Sequence, residues 1–383
     1  MKKMPYAKPC IFDEDIQQVT HVLKSEQITR GEVVKEFEDT LAKTLGAKYC
    51  VVFNSGSSAL MAAYFALDVD RFCTLLTTPI TYVATCSFAL IRGAKLCLID
   101  VLSNGCMDIK HARQLCQKQS GRVIFVPMHY GGEVVSLTAF LDGLQYPNVS
   151  ILEDAAHALY AKDSDQNYIG SCMYSDLCVF SFHPAKVMTT GEGGCVTTNN
   201  PDILEKLRLF RNNGIQKKGF EYDCLCLSGN FHMTELQAAL GLAQIKRLPI
   251  FLEKRKKIYA LYKELLADIP HLKFCEINTQ ETSGFHLCVV LIDFLELGIS
   301  RMDFQQMLLE KGIQTDVHYK PLHHLSAIQP HLFKSELEVE NAEHFYAQAL
   351  TLPLHPDVQK KDVEWICTTV RDLILKPQVR TQM

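Results

Sequence analysis

The chain has 383 residues, which is more than one ordinary compact core holds, so two domains are predicted. Hydrophobic residues make up 48% and charged residues 21%, a composition typical of globular proteins. The formal net charge is -4 and the sequence has no concentrated basic stripe, so we expect no nucleic-acid partner. No run approaches the ~20 apolar residues of a membrane helix, so we expect no membrane partner.

Cysteine usage points to a reducing compartment. The 15 cysteines form no zinc-binding spacing, and several lie inside apolar runs, as Cys97 and Cys178 do. Free cysteine packs as a small hydrophobic residue, so reduced, buried thiols are expected. The first residues are charged and polar instead of forming the apolar core of a secretory signal. We therefore expect a cytoplasmic location.

Short apolar runs alternate with helix-like stretches from about residue 45 to residue 200. The predicted strands lie at 49–53, 96–99, 123–126, 149–152, 178–180 and 195–198, and a helix is predicted at 57–67. Buried strands spaced by helices are typical of an α/β unit. The predicted fold class is therefore α/β with a mostly parallel or mixed sheet.

The pattern changes in the last third of the chain. Helices are predicted at 234–247, capped by Thr234, and at 251–266, followed by a strand at 286–292 and helices at 302–309 and 361–375. We place a domain boundary near residue 250. The predicted domains are residues 1–250, whose first segment lies near the substrate, and residues 251–383.

Three segments carry candidate chemistry, and the first is Asn-Ser-Gly-Ser-Ser-Ala-Leu at 54–60. It follows a strand and opens a helix, where unpaired N–H groups, the helix dipole and the serine hydroxyls favour an anion. Gly56 and Ser57 are the candidate anion-binding residues. An ordinary strand-to-helix turn capped by serine is the alternative, and the motif alone would favour it.

The second segment is Glu-Asp-Ala-Ala-His at 153–157, after a buried strand. Asp154 stands where α/β sheets bind ligands. An enzyme that uses pyridoxal 5′-phosphate (PLP) needs a carboxylate to pair with the protonated pyridine nitrogen. An aspartate that caps the next helix is an equally good interpretation from these residues alone.

The third segment, 180–194, is the most specific. One lysine, Lys186, stands among small and apolar residues between two predicted strands, and Gly-Glu-Gly-Gly follows it. A desolvated lysine has a lowered pKa and can form a Schiff base. Ser181 could donate to a phosphate. The alternative, an exposed loop lysine, fits the neighbouring residues poorly.

These segments together resemble the DegT/DnrJ/EryC1/StrS family of sugar aminotransferases. The similar stretches stand in family order at 54–60, 77–85, 153–158, 181–194, 230–241 and 317–319, so they span nearly the whole chain. The resemblance implies the type I PLP (aspartate-aminotransferase-like) fold, with a large, mostly parallel-sheet domain and a smaller C-terminal α/β domain. It also implies PLP as cofactor, L-glutamate as amino donor, a nucleotide-linked keto-sugar as acceptor, and a homodimer with shared active sites.

The resemblance also assigns roles to residues. Lys186 would carry PLP and act with Asp154 in catalysis. The remaining cofactor contacts would be the phosphate ligands Gly56, Ser57 and Ser181, a further phosphate contact from Asn230 of the other subunit, Tyr82 on the ring face and His157 near the 3′ oxygen. No metal is expected, because no carboxylate or cysteine pattern accompanies His323 and His324.

Within the family, the branch that acts in pseudaminic acid biosynthesis is similar at the first residues and at 317–321. This likeness implies amination at C4 of a UDP-linked 4-keto-6-deoxy-N-acetyl-hexosamine, with Tyr6, His318 and Tyr319 near the substrate. His232 and Asn213 depart from common family patterns. Another nucleotide keto-sugar (dTDP- or GDP-linked, aminated at C3 or C4) and a PLP-binding regulatory protein without turnover are the alternatives.

Overall fold

The computed structural model describes residues 3–144, 148–275, 283–332 and 337–375. Its α-helices are α1 Asp13–Leu23, α2 Glu32–Leu45, α3 Gly56–Ala66, α4 Ala84–Ile91, α5 Ile109–Lys118, α6 Leu137–Leu141, α7 Pro201–Arg211, α8 Glu235–Ile245, α9 Leu248–Leu265, α10 Arg301–Glu310, α11 Glu340–Gln348 and α12 Lys360–Leu375. Its strands are β1 Tyr49–Phe53, β2 Cys73–Thr77, β3 Lys95–Leu98, β4 Arg122–Phe125, β5 Val149–Asp154, β6 Leu177–Ser181, β7 Gly194–Thr198, β8 Ile215–Lys218, β9 Glu221–Cys224, β10 Leu272–Phe274, β11 Cys288–Ile292 and β12 Ala349–Leu352.

The main sheet has seven strands in the order β1-β7-β6-β5-β4-β2-β3. Its pairs are parallel except those of β7, which runs opposite to both of its neighbours. The prediction of an α/β fold with a mostly parallel sheet is confirmed. Every predicted strand of this sheet exists within one or two residues, but β2, which lies between β4 and the edge strand β3, was not predicted.

The ends of three strands lie at one edge of this sheet and place candidate site residues close together. Asp154 and Ser181 are the last residues of the parallel neighbours β5 and β6, so they share that edge. Gly194 opens the antiparallel β7 and pairs with both Ser181 and Phe53. A Cβ atom at Gly194 would lie 2.6 Å from the Cα atom of Gly56, so only glycine allows α3 to start this close.

A second, antiparallel sheet of three strands, β10-β11-β12, packs with α9, α10 and α12. Met4 forms a β-bridge with Ile313 and packs in this second core, so the first described residues lie beside the second sheet. The predicted division at residue 250 falls in the first turn of α9 and stays a prediction.

Three further observations complete the architecture. The hairpin β8–β9 was not predicted, and nearly all of its residues are exposed. All 15 cysteines carry free thiols. Among the described residues, no helix has both the length and the apolar character to cross a membrane.

Candidate active site

A cavity of about 520 Å³ opens where β5, β6 and α3 meet the second sheet. Ten of the eleven residues predicted to bind cofactor or substrate line it: Tyr6, Gly56, Ser57, Tyr82, Asp154, His157, Ser181, Lys186, His318 and Tyr319. They come from six separate parts of the chain, so the fold brings the predicted site together. The eleventh, Asn230, does not line the cavity.

The start of α3 and the end of β6 form an anion cradle. The Ser55 side chain caps the helix by accepting from the Ser58 amide at 3.1 Å. The N–H groups of Gly56 and Ser57, like those of any first helical turn, have no partner within the helix. A Cβ atom at Gly56 would lie 2.8 Å from Cβ of Ser181, so the absent side chain keeps the cradle open. Such a cradle fits the phosphate of PLP.

Asp154 supplies a buried carboxylate at the cavity wall. Asp154 is only 3% exposed to solvent. The Thr85 hydroxyl donates to Oδ2 at 2.7 Å, and the Ala156 amide donates to Oδ1 at 3.2 Å. Burial raises the pKa of Asp154 above its ordinary value, and these two hydrogen bonds and the charge of Lys186 offset part of that rise. The carboxylate therefore has partners that favour the charged form needed to hold a pyridinium.

Lys186 stands on the loop between β6 and β7 and faces the same cavity. Its backbone N–H donates to the carbonyl of His183 at 2.8 Å, which fixes the loop around it. Burial lowers the pKa of the Lys186 amine to about 8, against the opposing pull of the Asp154 carboxylate. A neutral amine is thus available near neutral pH, as a nucleophilic or proton-transferring lysine requires.

His157 and Tyr319 form a hydrogen-bonded pair on the cavity wall. The Gly131 amide donates to Nδ1 of His157 at 3.3 Å, so Nε2 carries the ring hydrogen and donates to the Tyr319 hydroxyl at 2.8 Å. Burial and the nearby Lys186 charge lower the pKa of His157 well below its usual value. The imidazole is therefore neutral. Because the Tyr319 hydroxyl accepts from His157, its own hydrogen is available to donate to another group.

Aromatic side chains frame the more open side of the cavity. Tyr82 is 57% exposed and lies 5.9 Å from Tyr319 between ring centroids, so one of its faces is accessible for stacking. The His318 ring lies 5.6 Å from Tyr6 and contacts the Thr351 hydroxyl through Nδ1 at 2.9 Å. Tyr82 is thus the solvent-exposed ring of this set, whereas His318 is only 7% exposed and lies deeper in the wall.

Sequence reasoning missed several lining residues, among them Thr85, Glu192, His286 and Asp316. His286 is 5% exposed, its Nδ1 atom has no partner within the described residues, and its ring lies 4.3 Å from that of His157. Thr85 stood at the end of the family-like stretch 77–85, which was the available signal. No local pattern marked His286, because its contact with the site arises across the two sheets.

The two departures from family patterns lie away from the cavity. His232 contacts Oδ1 of Asn212 through Nε2 at 3.1 Å, and the Asn213 amide donates to the Gly229 carbonyl at 3.0 Å. The exposed Asn230 accepts from the His232 amide at 3.3 Å. The contact predicted for Asn230, to the other subunit's phosphate, stays a prediction.

One cavity contains a phosphate cradle, a buried carboxylate and a lysine of lowered pKa, which fit the phosphate, the pyridine nitrogen and the aldehyde of PLP. Together with the mostly parallel sheet, this site defines a PLP-dependent aminotransferase. The chain belongs to the DegT/DnrJ/EryC1/StrS aminotransferase family, whose profile matches residues 9–371.

Individual relatives agree with this family assignment. A Campylobacter jejuni protein named UDP-4-amino-4,6-dideoxy-N-acetyl-beta-L-altrosamine transaminase is 34% identical over 373 residues, which cover 97% of each chain. The structure of Helicobacter pylori PseC, an aminotransferase of pseudaminic acid biosynthesis, superposes with a TM-score of 0.90 at 31% identity, covering 97% of this chain and 99% of that one. A sugar aminotransferase from Streptococcus pneumoniae, solved in its PLP form, gives 0.88 at 26% identity, covering 97% and 98%.

We expect Thr85 to position Asp154 for catalysis. Its hydroxyl donates to Oδ2 of Asp154, and the Thr81 hydroxyl lies 2.7 Å behind it. Thr85→Val keeps the shape but removes a hydrogen bond to a charged group, worth about 1.5–3 kcal/mol, so kcat should fall roughly tenfold to a hundredfold. The measurement is the glutamate half-reaction followed across pH by cofactor absorbance.

Thr85→Ser is the matched control for this prediction, because it keeps the hydroxyl and loses only a methyl group. It should restore most of the rate and the pH profile of the cofactor band. Equal activity of the valine and serine variants would contradict a positioning role for the hydroxyl.

Proposed function

We propose that this chain uses PLP to transfer an amino group from L-glutamate to C4 of a UDP-linked 4-keto-6-deoxy-N-acetyl-hexosamine of L-configuration. One observation carries the proposal: Lys186, Asp154 and the cradle at Gly56 line one cavity in a chain similar over 97% of its length to a transaminase named for such an amino-sugar. The relative's substrate class supplies the acceptor, and the cavity supplies the chemistry.

PLP, when bound, supplies an electron sink for the electrons released at the donor's α-carbon. Asp154 would hold the pyridine nitrogen protonated, because its buried carboxylate is a strong partner for a cation in a low-dielectric site. Lys186, with its lowered pKa, would take the proton from the glutamate α-carbon and later deliver a proton to C4 of the sugar. One lysine thus serves both halves of a ping-pong cycle.

The other lining residues would orient the reactants. Gly56, Ser57 and Ser181 would bind the phosphate, while Tyr82 would cover one ring face. His157, neutral and donating through Nε2, would lie near the 3′ oxygen. These residues would restrain the cofactor at its phosphate and at its ring, on the cavity wall that also carries Lys186.

Tyr6, His318 and Tyr319 would contact the sugar. The first two have rings in contact, and Tyr319 keeps a hydroxyl hydrogen that is not used by His157. Burial lowers the pKa of His318 to about 3, so His318 stays neutral and can contact sugar hydroxyls or the N-acetyl group without adding a charge. The N-terminal segment and the second sheet would therefore set sugar specificity.

We expect the L-configured UDP-4-keto sugar to react faster than its C5 epimer. Inversion at C5 tilts the ring, so C4 meets the cofactor's amine at a poorer angle, and a misplacement of about 1 Å can cost a hundredfold in rate. Competition between the two epimers, with L-glutamate as donor and product analysis by mass spectrometry, measures the ratio.

A panel of dTDP- and GDP-linked keto-sugars is the control in that competition. Preference for one of these, or for the D-configured epimer, would overturn the substrate while leaving the aminotransferase in place. Failure of the glutamate half-reaction would favour a PLP-binding protein without turnover.

We further propose a cytoplasmic homodimer with shared active sites. Asn54 donates its amide to the carbonyl of Phe231 at 3.0 Å, so the segment that carries Asn230 lies against the start of α3, next to the phosphate cradle. Asn230 itself is exposed and lies outside its own cavity. A side chain so placed is available to a neighbouring subunit's phosphate.

We expect two inactive chains to complement each other if Asn230 acts across the dimer. A mixed dimer of Lys186→Ala and Asn230→Ala chains would then hold one site with both residues intact. Equal mixing should restore about a quarter of the wild-type sites, because half of the dimers are mixed and each has one working site. Activity is measured before and after subunit exchange, which is verified with differently tagged chains. No gain after verified exchange would argue for sites built within one chain.

A further inference from the structure

A histidine pair and a glutamate converge outside the cavity. His323 and His324 stand in the 3-10 turn Leu322–His324, and Glu343 stands on α11, 20 and 19 residues further along the chain. The expectation of no metal rested on the absence of a carboxylate pattern beside the two histidines in the sequence. The fold brings Glu343 to them from a distant helix.

The ligand atoms of the three side chains point at one another. Nε2 of His324 lies 2.7 Å from Oε1 of Glu343, and Nε2 of His323 contacts the same oxygen. All three atoms lie within 4.8 Å of one another. Both rings thus present the same kind of nitrogen to one carboxylate oxygen, which is the convergence a single bound ion requires.

The surroundings hold the two halves of the cluster in place. The amide of Leu322 donates to the carbonyl of Pro79 at 2.9 Å, which ties the turn to the main-sheet side of the protein. The ring of Tyr346 lies 5.7 Å from that of His324 and stands on the same helix as Glu343. Ligands held by separate, fixed elements lose little freedom when they bind an ion.

Exposure differs across the three side chains in a way that suits a metal centre. The His323 side chain is 6% exposed, that of His324 is 33% exposed, and that of Glu343 is 44% exposed. The histidines form the inner wall, and the carboxylate closes the side that faces solvent. An ion could therefore enter from solvent and keep a water molecule as a fourth ligand.

We propose that His323, His324 and Glu343 bind one Zn²⁺ ion, through the two Nε2 atoms and a carboxylate oxygen, with water completing a tetrahedron. Two imidazoles and one carboxylate are a common protein ligand set for zinc. Bonds of about 2.0–2.1 Å place tetrahedral ligand atoms roughly 3.3 Å apart, so the carboxylate oxygen must withdraw from the two nitrogens by roughly 0.6–0.8 Å, and the nitrogens, now within 4.8 Å of each other, must take the same spacing. The side chains of His324 and Glu343 are 33% and 44% exposed and have room for this adjustment.

The consequence would be a cross-link between the turn and α11. None of the three residues lines the cavity, so the ion would stabilise the fold without entering the transamination. A ligand bound by the folded state alone raises stability by mass action. This proposal is independent of the proposed function, since it concerns neither PLP nor the sugar.

The test uses the PLP-loaded enzyme after treatment with a chelator and dialysis. Equilibrium dialysis against Zn²⁺, with metal analysis, should give one site that is lost or weakened at least about tenfold in His324→Gln and in Glu343→Gln. His331→Gln, a change at an exposed histidine on the nearby 3-10 turn Gln329–His331, is the matched control and should bind as the wild type does. Co²⁺ in place of Zn²⁺ should give the intense visible bands of a tetrahedral site in the wild type and not in the two ligand variants.

Thermal unfolding supplies the second measurement. Zn²⁺ should raise the Tm of the wild type and of His331→Gln, but not that of His324→Gln or Glu343→Gln, whose circular dichroism in chelator verifies that they fold. The two ligand variants should keep the glutamate half-reaction. Equal Zn²⁺ binding by wild type and both ligand variants, or no binding by the wild type, would overturn the site and show that the cluster is held by hydrogen bonds alone.

Discussion

Replacing Lys186 with alanine should abolish turnover, with a loss of about ten-thousandfold or more, because in the proposed mechanism Lys186 is both the covalent anchor of PLP and the acid–base group. The amine faces a cavity that also contains Asp154, and it carries a pKa lowered to about 8. The measurement is the half-reaction with L-glutamate, followed by cofactor absorbance. In the wild type, borohydride should fix the cofactor on Lys186, as identified by peptide mass spectrometry.

The pH dependence of cofactor loading gives a second reading of the same lysine. The neutral amine is the nucleophile, and it is protonated below its pKa. The rate of PLP attachment to the cofactor-free enzyme should therefore rise with pH and level off above about pH 8. For a lysine with the ordinary pKa of 10.5, the rate would continue to rise up to about that pH. Lys118→Ala, on the exposed face of α5, is the control and should load normally. Borohydride fixation on another lysine in Lys186→Ala would refute the assignment.

Asp154→Asn should leave the protein folded but lower turnover about a thousandfold or more, since it removes a preorganised charge from the reaction centre. The oxygen of asparagine can still accept from the Ala156 amide, and its NH2 group can donate to the Thr85 hydroxyl, which is then free to donate to Thr81, so the local contacts survive with one hydrogen bond reversed. Burial raises the pKa of Asp154, and a neutral side chain avoids that desolvation cost, so stability should not fall much. The variant loses only the ability to hold a pyridinium.

The measurements for Asp154→Asn are kcat, the amount of bound PLP and the Tm. Much of the PLP should remain, because the cradle at Gly56 and the amine of Lys186 are untouched. Asp154→Glu keeps the charge and displaces it by one methylene group, so its activity should lie between that of the wild type and that of Asp154→Asn. Near-normal turnover in the asparagine variant would refute the role of Asp154 as partner of the pyridine nitrogen.

The sequence by itself determined the α/β class, most strands of the main sheet and the family. The physical reason is that these features are local: a buried parallel strand is a short apolar run, and Ser55 and Thr234 cap their helices through contacts three residues away. Lys186 was visible for the same reason, since it departs from its small and apolar neighbours, and Asp154 was visible because it follows a short apolar strand. Strand β2 was missed because its five buried residues, Cys-Thr-Leu-Leu-Thr, show no alternation of polar and apolar side chains. Such a short run fits a strand and a helix segment equally well.

Tertiary structure alone decided which residues share a site. His286 reaches the wall beside His157 from the second sheet, and Glu343 reaches His323 and His324 across 20 and 19 residues. Such contacts depend on how helices and sheets pack, and no local pattern records that packing. The pKa values follow the same rule, because desolvation lowers that of Lys186 only after the fold has closed around it. The local sequence therefore pointed to the candidate catalytic groups, and the packing of the fold determined their partners and their protonation.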